Sequence, residues 1–296
     1  MIRVEVPATS ANCCIGFDCL GLALDWKASF AFEPADGLQI EGCPEEFQGP
    51  DNLVIQAFDK TCQVLNRQRP GLHLIIDSKL PFARGLGSSS ACVAAGILAA
   101  NAWFGAPLSR EQMLALAVEM EGHPDNAAPA IYGGMVCCFN YEQDGRPEGF
   151  LMELRPRVNW HALAIIPPYP VSTPEARRLL PETISLRDAA SQSAHAIAFV
   201  QMFLEGHEAA CAVCCADYLH EPYRAKLIKE YGAIKEKALA LKMPMWISGS
   251  GSTMLVMSTD PDKLDTMQKW LAAGYPDLQL VRTSPDLEGA VVHADE

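Results

Sequence analysis

The segment Pro81-Phe-Ala-Arg-Gly85-Leu-Gly87-Ser88-Ser89-Ser90-Ala91 gathers small and hydroxyl-bearing residues between two apolar runs. Two glycines let a backbone turn and come close to a ligand. The serines at a helix start offer N–H and hydroxyl donors where the helix dipole favours an anion. The chemistry that fits is phosphate binding. The segment is not a Walker A loop, because no Lys follows Gly87, and it matches a dinucleotide fingerprint poorly. Ser90 stands at the third glycine position. Taken alone, the loop reads equally well as a tight turn before a capped, buried helix.

Five other segments carry residue types of chemical interest. Glu119-Met-Glu121-Gly122-His123-Pro124-Asp125-Asn126 crowds carboxylates, an imidazole and an amide around a helix end. A hard cation such as Mg²⁺ takes such oxygens and shares them with phosphates; a solvated helix end capped by Asp125 or Asn126 is the plainer alternative. Pro7-Ala-Thr9-Ser10-Ala11-Asn12-Cys13-Cys14-Ile15-Gly16-Phe17-Asp18 interrupts an apolar region with polar residues, as a cleft-lining turn or an ordinary Asx loop would. In Val171-Ser172-Thr173-Pro174-Glu175-Ala176-Arg177-Arg178, Thr173 or Ser172 can cap a helix with Pro174 at its first position. Arg177 then lies one turn beyond Thr173, on the same side. His220-Glu221-Pro222-Tyr223-Arg224 supplies a second arginine, and two arginines together can clamp a carboxylate; each alone is more commonly a surface residue. Ser248-Gly-Ser-Gly-Ser-Thr253 is a second Gly/Ser loop, able to bring backbone close to a substrate or to serve as a flexible hairpin.

These segments must be held by surrounding elements. Strands are expected at residues 2–6, 20–32, 72–76, 162–166, 245–247, 254–257 and 278–282. Helices are expected at 53–66, 88–104, 185–205, 208–218, 227–240 and 261–273. Another follows Ser109, with Gln112 completing a capping box and Gly122 and Pro124 ending it. That helix has Met113, Leu116, Ala117 and Met120 on one face. Gln143-Asp-Gly-Arg-Pro147 reads as a hairpin turn with Asp-Gly at its tip. Strands and helices mix without strict βαβ alternation, which predicts an α+β fold.

The chain has 296 residues, enough for two domains or one large one. Its net charge of −13 argues against nucleic acid as a main partner. The 11 cysteines, with no basic-then-apolar leader before them, are expected to be reduced thiols in a cytoplasm. Cys211-Ala-Val-Cys214-Cys215 lacks a second pair at zinc spacing and is expected in a core. Residues 91–108 are apolar but dominated by Ala and Gly, which predicts a buried helix rather than a membrane span.

Together and in this order, the motifs resemble the GHMP small-molecule kinases, over most of the chain. Asn12 to Asp18, Gly85-Leu-Gly87-Ser-Ser and Ser248-Gly-Ser-Gly carry the general resemblance. Glu121-Gly-His-Pro-Asp-Asn126, Ser172-Thr-Pro-Glu-Ala-Arg177 and Glu221-Pro-Tyr-Arg224 narrow it to the branch acting on L-homoserine. The resemblance implies an N-terminal ribosomal-protein-S5-like α+β domain (1–155) and a ferredoxin-like C-terminal domain (156–296), with the active site between them. It implies ATP and Mg²⁺ as cofactors, L-homoserine as the phosphoryl acceptor, and a homodimer. Carried over residue by residue, Asn52, Leu53 and Val54 line the adenine pocket. Pro81 and Arg84 flank the phosphate loop, and Gly85, Leu86, Gly87, Ser88, Ser89 and Ser90 wrap the phosphates. Ser89 and Glu121 hold the metal. Asn12 contacts the reacting hydroxyl, Asp18 the ammonium, and Arg177 and Arg224 the carboxylate. His123, Asn126, Thr173 and Gly249 complete the pocket, with Asn12, Ser89, Glu121 and Asn126 as the catalytic set. Asp125 is the one candidate for a general base, a structural or capping role being the stronger expectation. Cys13-Cys14 stands where the family turn has an apolar residue and then Gly; positive φ there would strain Cys14. Another alcohol as acceptor, such as L-threonine, mevalonate or pantoate, is the alternative, and the paired arginines with Asp18 favour a zwitterion.

Overall fold

The alternation at the start of the chain folds as β1 (Ile2–Ala11) against β2 (Leu20–Pro34). The computed structural model describes residues 1–143 and 146–294. The two strands pair antiparallel from Ile2↔Phe32 to Ala11↔Gly21, with the register shifting at Pro7/Ala8, where proline has no N–H for the ladder. The remaining elements of the first half are β3 (Leu38–Glu41), α1 (Leu53–Val64), β4 (Leu72–Asp77), α2 (Ser88–Trp103), α3 (Arg110–Glu121), α4 (Pro124–Tyr132), β5 (Met135–Gln143) and β6 (Arg146–Leu154). The second half contributes β7 (His161–Ile166), α5 (Thr173–Arg178), α6 (Leu186–Glu205), α7 (Glu208–Cys214), α8 (Glu221–Arg224), α9 (Tyr231–Ala240), β8 (Met245–Ile247), β9 (Met254–Ser258), α10 (Pro261–Gly274), β10 (Gln279–Thr283) and β11 (Val291–Ala294).

Two sheets result. The first runs β11-β1-β2-β4-β3, and the β5–β6 hairpin is joined to the near end of β2. Only β3–β4 is parallel among these pairs. The tip expected at Asp144-Gly145 lies outside the described residues. The second sheet is antiparallel in the order β10-β7-β9-β8. With α10 joining its last two strands and α6 to α9 its first two, this is the ferredoxin-like order expected. The α+β class therefore holds.

Helix α2 is the centre of the first half. Its sequence is mostly Ala, Val, Ile, Leu and Gly because it is buried nearly all round. Gly96 lets it cross α1 closely; a Cβ there would lie 2.2 Å from the Val54 carbonyl oxygen. The second sheet packs Leu264, Met267 and Leu271 of α10 on one face. On its other face lie Trp160, Phe199, Phe203 and Trp246. Trp160 stacks on Phe203 at 4.9 Å and donates to its carbonyl at 2.9 Å.

Several boundaries differ from expectation. The helix expected to reach residue 218 ends at Cys214, because the chain must place Asp217 where it caps the next turn. The helix expected from 227 begins at Tyr231, after a 3₁₀ turn at Ala225–Leu227. Strands β3 and β11 were not anticipated; each is four residues long. Pairing of β11 with β1 returns the end of the chain to the first sheet. All eleven cysteines are unpaired thiols. Among the described residues, no helix is long and apolar enough to cross a membrane.

Candidate active site

The six motifs meet around one cleft of about 510 Å³. Its floor is the Gly/Ser loop. Gly85 and Gly87 have φ of 74° and 66°, the left-handed region that favours glycine. A Cβ on Gly85 would lie 2.1 Å from the Ser248 carbonyl oxygen, and one on Gly87 would lie 1.8 Å from Thr9 Oγ1. The loop is thus glycine-rich for two reasons, its turn and its neighbours. The helix it opens has no acidic residue in its first turn. The N–H groups of Ser88, Ser89 and Ser90 lack intrahelical acceptors, and these residues line the cleft.

Glu121, the last residue of α3, reaches the same place. Its Oε1 accepts from Ser89 Oγ at 2.6 Å, and its Oε2 accepts from Ser90 Oγ. A carboxylate and two hydroxyls converging beside a phosphate-binding helix start is a donor set suited to Mg²⁺. Gly122 then turns the chain with φ of 84°, and α4 begins at Pro124. Asp125 is buried and accepts from His123 Nδ1 at 2.8 Å. This bond raises the His123 pKa above its ordinary value, against the opposing pull of burial. Asp125 is thus engaged rather than free. Asn126 accepts from Thr9 Oγ1 at 2.7 Å.

The turn after β1 has an uncommon backbone. Asn12, Cys13 and Cys14 have φ of 70°, 39° and 68°, and Asp18 has φ of 55°. The strain foreseen at Cys14 is present, and it extends to both preceding residues. Hydrogen bonds hold the turn. Asn12 Nδ2 donates to the Gly249 carbonyl at 3.0 Å, and Asn12 Oδ1 accepts from the Asp18 N–H at 3.0 Å. The Gly16 N–H returns to the Asn12 carbonyl at 2.8 Å, and Gln192 Nε2 donates to the Ile15 carbonyl at 2.6 Å. The second Gly/Ser loop closes onto the first. Ser248 Oγ donates to the Gly85 carbonyl at 2.6 Å, the Thr253 N–H to the Arg84 carbonyl at 3.1 Å, and the Gly249 N–H to the Ala11 carbonyl at 3.1 Å.

Two arginines face this turn. Ser172 caps α5, with Thr173 and Pro174 following. Thr173 Oγ1 lies 3.1 Å from Ser250 Oγ. Arg177 makes a two-pronged pair with Asp18 at 2.9 and 3.0 Å. Both partners are partly exposed, so the pair can open at little cost. Arg224 is different. It is buried, its Nη1 reaches the Gly249 carbonyl at 3.1 Å and His220 Nδ1 at 3.4 Å, and its Nε has no partner. Both guanidinium carbons sit over the Phe17 ring, at 5.6 and 5.3 Å. Burial, then the charge of Arg177, pull the Arg224 pKa below its ordinary value. A buried, under-bonded cation beside a second cation is a site built for an anion.

Beneath Arg224, Glu221 is fully engaged. Its Oε1 accepts from the Ile247 N–H at 2.6 Å, and its Oε2 from Tyr231 Oη at 2.9 Å and Lys235 Nζ at 3.4 Å. Burial is the largest single influence on the Lys235 pKa and lowers it, but Glu221, with smaller contributions from Cys14, Cys215 and Tyr231, outweighs it and holds the ammonium above its ordinary value.

A second cavity of about 210 Å³ adjoins the first through Leu53, Ser88 and Ser89. Phe30, Phe47 and Phe82 make it mostly apolar, as a base-sized pocket requires. Asn52 lines it while capping α1, accepting from the Val54 N–H at 2.9 Å. Val54, however, is wholly buried in the core and lines neither cavity. Pro81 and Leu86 also line neither; Leu86 is buried and takes part through its carbonyl, which accepts from the Thr9 N–H at 3.1 Å. The other site residues expected from the sequence line one cavity or the other. Sequence reasoning missed Thr9, Ser250 and the three phenylalanines.

Comparison with known proteins gives the class. The family model described as GHMP kinases N terminal domain matches residues 52–134, and that described as GHMP kinases C terminal matches 196–277. The chain belongs to the GHMP kinase family. Within it, the chain is similar to homoserine kinases. One from Clostridium botulinum is 38% identical over 265 residues, covering 89% of this chain and 88% of that protein. One from a Synechococcus strain is 38% identical over 285 residues, covering 92% of each. The crystal structure of homoserine kinase from Cytophaga hutchinsonii superposes with a TM-score of 0.84 at 27% identity, over 99% of this chain and 97% of that one.

Proposed function

We propose that this protein transfers the γ-phosphoryl group of ATP to the side-chain hydroxyl of L-homoserine, giving O-phospho-L-homoserine on the route to threonine. The observation that carries this reading is the juxtaposition, in one cleft, of a phosphate-binding helix start and a pocket lined by Arg224 and by the Arg177–Asp18 pair. A zwitterionic amino acid needs both signs. Arg224 takes the carboxylate; Arg177 shares Asp18 with the ammonium when the pair opens. The 38% identity to homoserine kinases over about nine tenths of the chain supports the same substrate.

The chain's own part in the reaction is positioning and charge stabilisation, which phosphoryl transfer chiefly requires. Asn52 and Leu53 help to line the adenine pocket. Gly85 to Ser90 hold the phosphates with N–H donors at the helix start. Ser89 and Glu121 would hold Mg²⁺, which supplies neutralisation of phosphate charge when bound. Asn12, fixed at both ends of its amide, orients the acceptor hydroxyl, with Asn126 and Thr173 beside it. Asp125 is committed to His123, so its role is to orient that ring rather than to act as a base. We read residues 1–155 and 156–296 as the two working lobes and the cytoplasm as their location. We also read the protein as a homodimer. In support, residues 189–204 of α6 contain no Asp, Glu, Lys or Arg, although Ile197 is 76% exposed. A chain of charge −13 self-associates best through such an uncharged face.

The test is ADP release with Mg-ATP and L-homoserine, run beside L-threonine, L-serine, mevalonate and pantoate. Turnover on homoserine far above the rest is expected. Turnover on another alcohol instead would keep the ATP site and overturn the assignment of the arginines.

A further inference from the structure

His220 touches neither cavity and is completely buried. Its imidazole lies between the two parts of the cleft that face the acceptor. On one edge Nε2 is 2.6 Å from the Cys14 carbonyl, and on the other Nδ1 is 3.4 Å from Arg224 Nη1. With its hydrogen on Nε2, the ring donates to Cys14 and offers its Nδ1 lone pair to the guanidinium, so one tautomer satisfies both contacts. Its face stacks on Phe17 at 5.4 Å, the same ring that underlies both arginines. Its own N–H is fixed by Asp217 Oδ2 at 2.6 Å.

The Cys14 carbonyl closes a run of three consecutive non-glycine residues in the left-handed region. Such a run is unfavourable at every residue and persists only where its surroundings over-determine it. The run carries Asn12 at one end and leads to Asp18 at the other. Arg224, in turn, is held among the described residues by two polar contacts, and His220 is one of them.

We propose that His220 is a positioning residue that sets affinity for the amino-acid acceptor, by tying the strained Asn12–Cys14 turn to Arg224 through a single imidazole. It does not touch substrate and acts through the two groups it joins. Its hydrogen-bond and ring partners among the described residues are Asp217, Cys14, Arg224 and Phe17, none of them on the nucleotide side of the cleft built on Gly85 to Ser90 and Glu121. This rests on the reading of the cleft as a homoserine site.

The experiment compares His220→Leu, His220→Gln and His220→Asn with the wild type. Each is assayed for ADP release with homoserine varied at saturating Mg-ATP, then with Mg-ATP varied at saturating homoserine, and each is checked by thermal melting. Gln can keep a donor near the Nε2 position, and Asn an acceptor near the Nδ1 position. His220→Leu is expected to raise the KM for homoserine about tenfold to a hundredfold, the scale of a buried group left unbonded. The KM for ATP should move less than twofold. Gln or Asn should recover part of the loss. The proposal is overturned if both KM values rise together in variants that melt like the wild type. It is equally overturned if Leu leaves the homoserine KM unchanged, or if Gln and Asn, folded, are as impaired as Leu. Absence of homoserine turnover in the wild type would instead overturn the substrate reading beneath it.

Discussion

Replacing Arg224 by leucine should separate activity from stability. The guanidinium has five N–H donors, yet among the described residues its polar contacts are the Gly249 carbonyl and His220 Nδ1, both through Nη1, and it is 3% exposed. The folded protein therefore holds a desolvated cation that its own groups satisfy poorly. Truncating one partner of a buried, hydrogen-bonded charge pair costs about 2–5 kcal/mol. With about 1.4 kcal/mol for each factor of ten, that is about 30- to 4,000-fold in kcat/KM for homoserine. The substrate-free enzyme loses two modest hydrogen bonds and gains relief from a buried charge, so its melting temperature should move by only a few degrees. Arg177→Leu should cost less, about tenfold, because Arg177 is 45% exposed and already paired with Asp18. The assay is coupled ADP release with each substrate varied in turn, together with a melting curve. The reasoning fails if Arg224→Leu raises the KM for ATP in the same proportion as that for homoserine. It fails also if the variant melts far below the wild type, because Arg224 would then be a structural residue.

Three more outcomes can be checked directly. Gly87→Ala should abolish turnover, since its Cβ would lie 1.8 Å from Thr9 Oγ1 at a φ of 66°; near-normal kcat in a folded variant would contradict the loop geometry. His123 should titrate above its ordinary 6.5 by NMR, because Asp125 accepts a hydrogen bond from it. A raised pKa gives stability fully present below about pH 6.5 and lost as pH rises through the folded value. Asp125→Asn should bring the titration down and flatten that dependence, and an unchanged titration would break the assigned pair. Among the thiols, Cys137 is held down to about 7 by a hydrogen bond from the Cys19 thiol, whereas burial pushes Cys92 up to about 12. Limited iodoacetamide at pH 7.5 should label Cys137 well before Cys92, and Cys19→Ala should slow it; equal labelling of both would refute the Cys19 contact.

The parts of the site legible in the sequence are those whose residue types are costly elsewhere. Gly85 and Gly87 stand out because only glycine meets both their φ and their close neighbours. Arg224 and Asp18 are legible only through the motifs that hold them, Glu221-Pro-Tyr-Arg224 and the Asn12-to-Asp18 turn. The base-sized cavity was hidden for the opposite reason. Phe30, Phe47 and Phe82 come from β2, the turn before α1 and the loop before α2, and each looks like an ordinary core residue until the fold gathers them. Val54, expected beside Leu53 in the adenine pocket, lines neither cavity. Neighbouring residues in a helix point about 100° apart, so when Leu53 faces the cavities Val54 faces the core. The left-handed turn was half hidden by Cys13 and Cys14, which occupy backbone that usually announces itself with glycine. Strand β11 was invisible because its four residues owe their conformation to β1, at the other end of the chain.

The contrast between Glu221 and Arg224, at the two ends of α8, explains how the site can leave a charge unsatisfied. A four-residue helix has no stability of its own. It is held because Asp217 Oδ2 accepts from the N–H groups of both His220 and Glu221, at 2.6 and 2.7 Å, and because Glu221 is bonded to β8 and α9. The contacts that anchor the helix to its surroundings are thus concentrated at its start, on His220 and Glu221. Arg224, at the last residue, is carried into the cleft by that rigid base and is held there with only Nη1 engaged, by His220 Nδ1 and the Gly249 carbonyl. Its free donors can therefore wait for the substrate carboxylate in nearly the geometry they will use, so that little ordering remains to oppose binding.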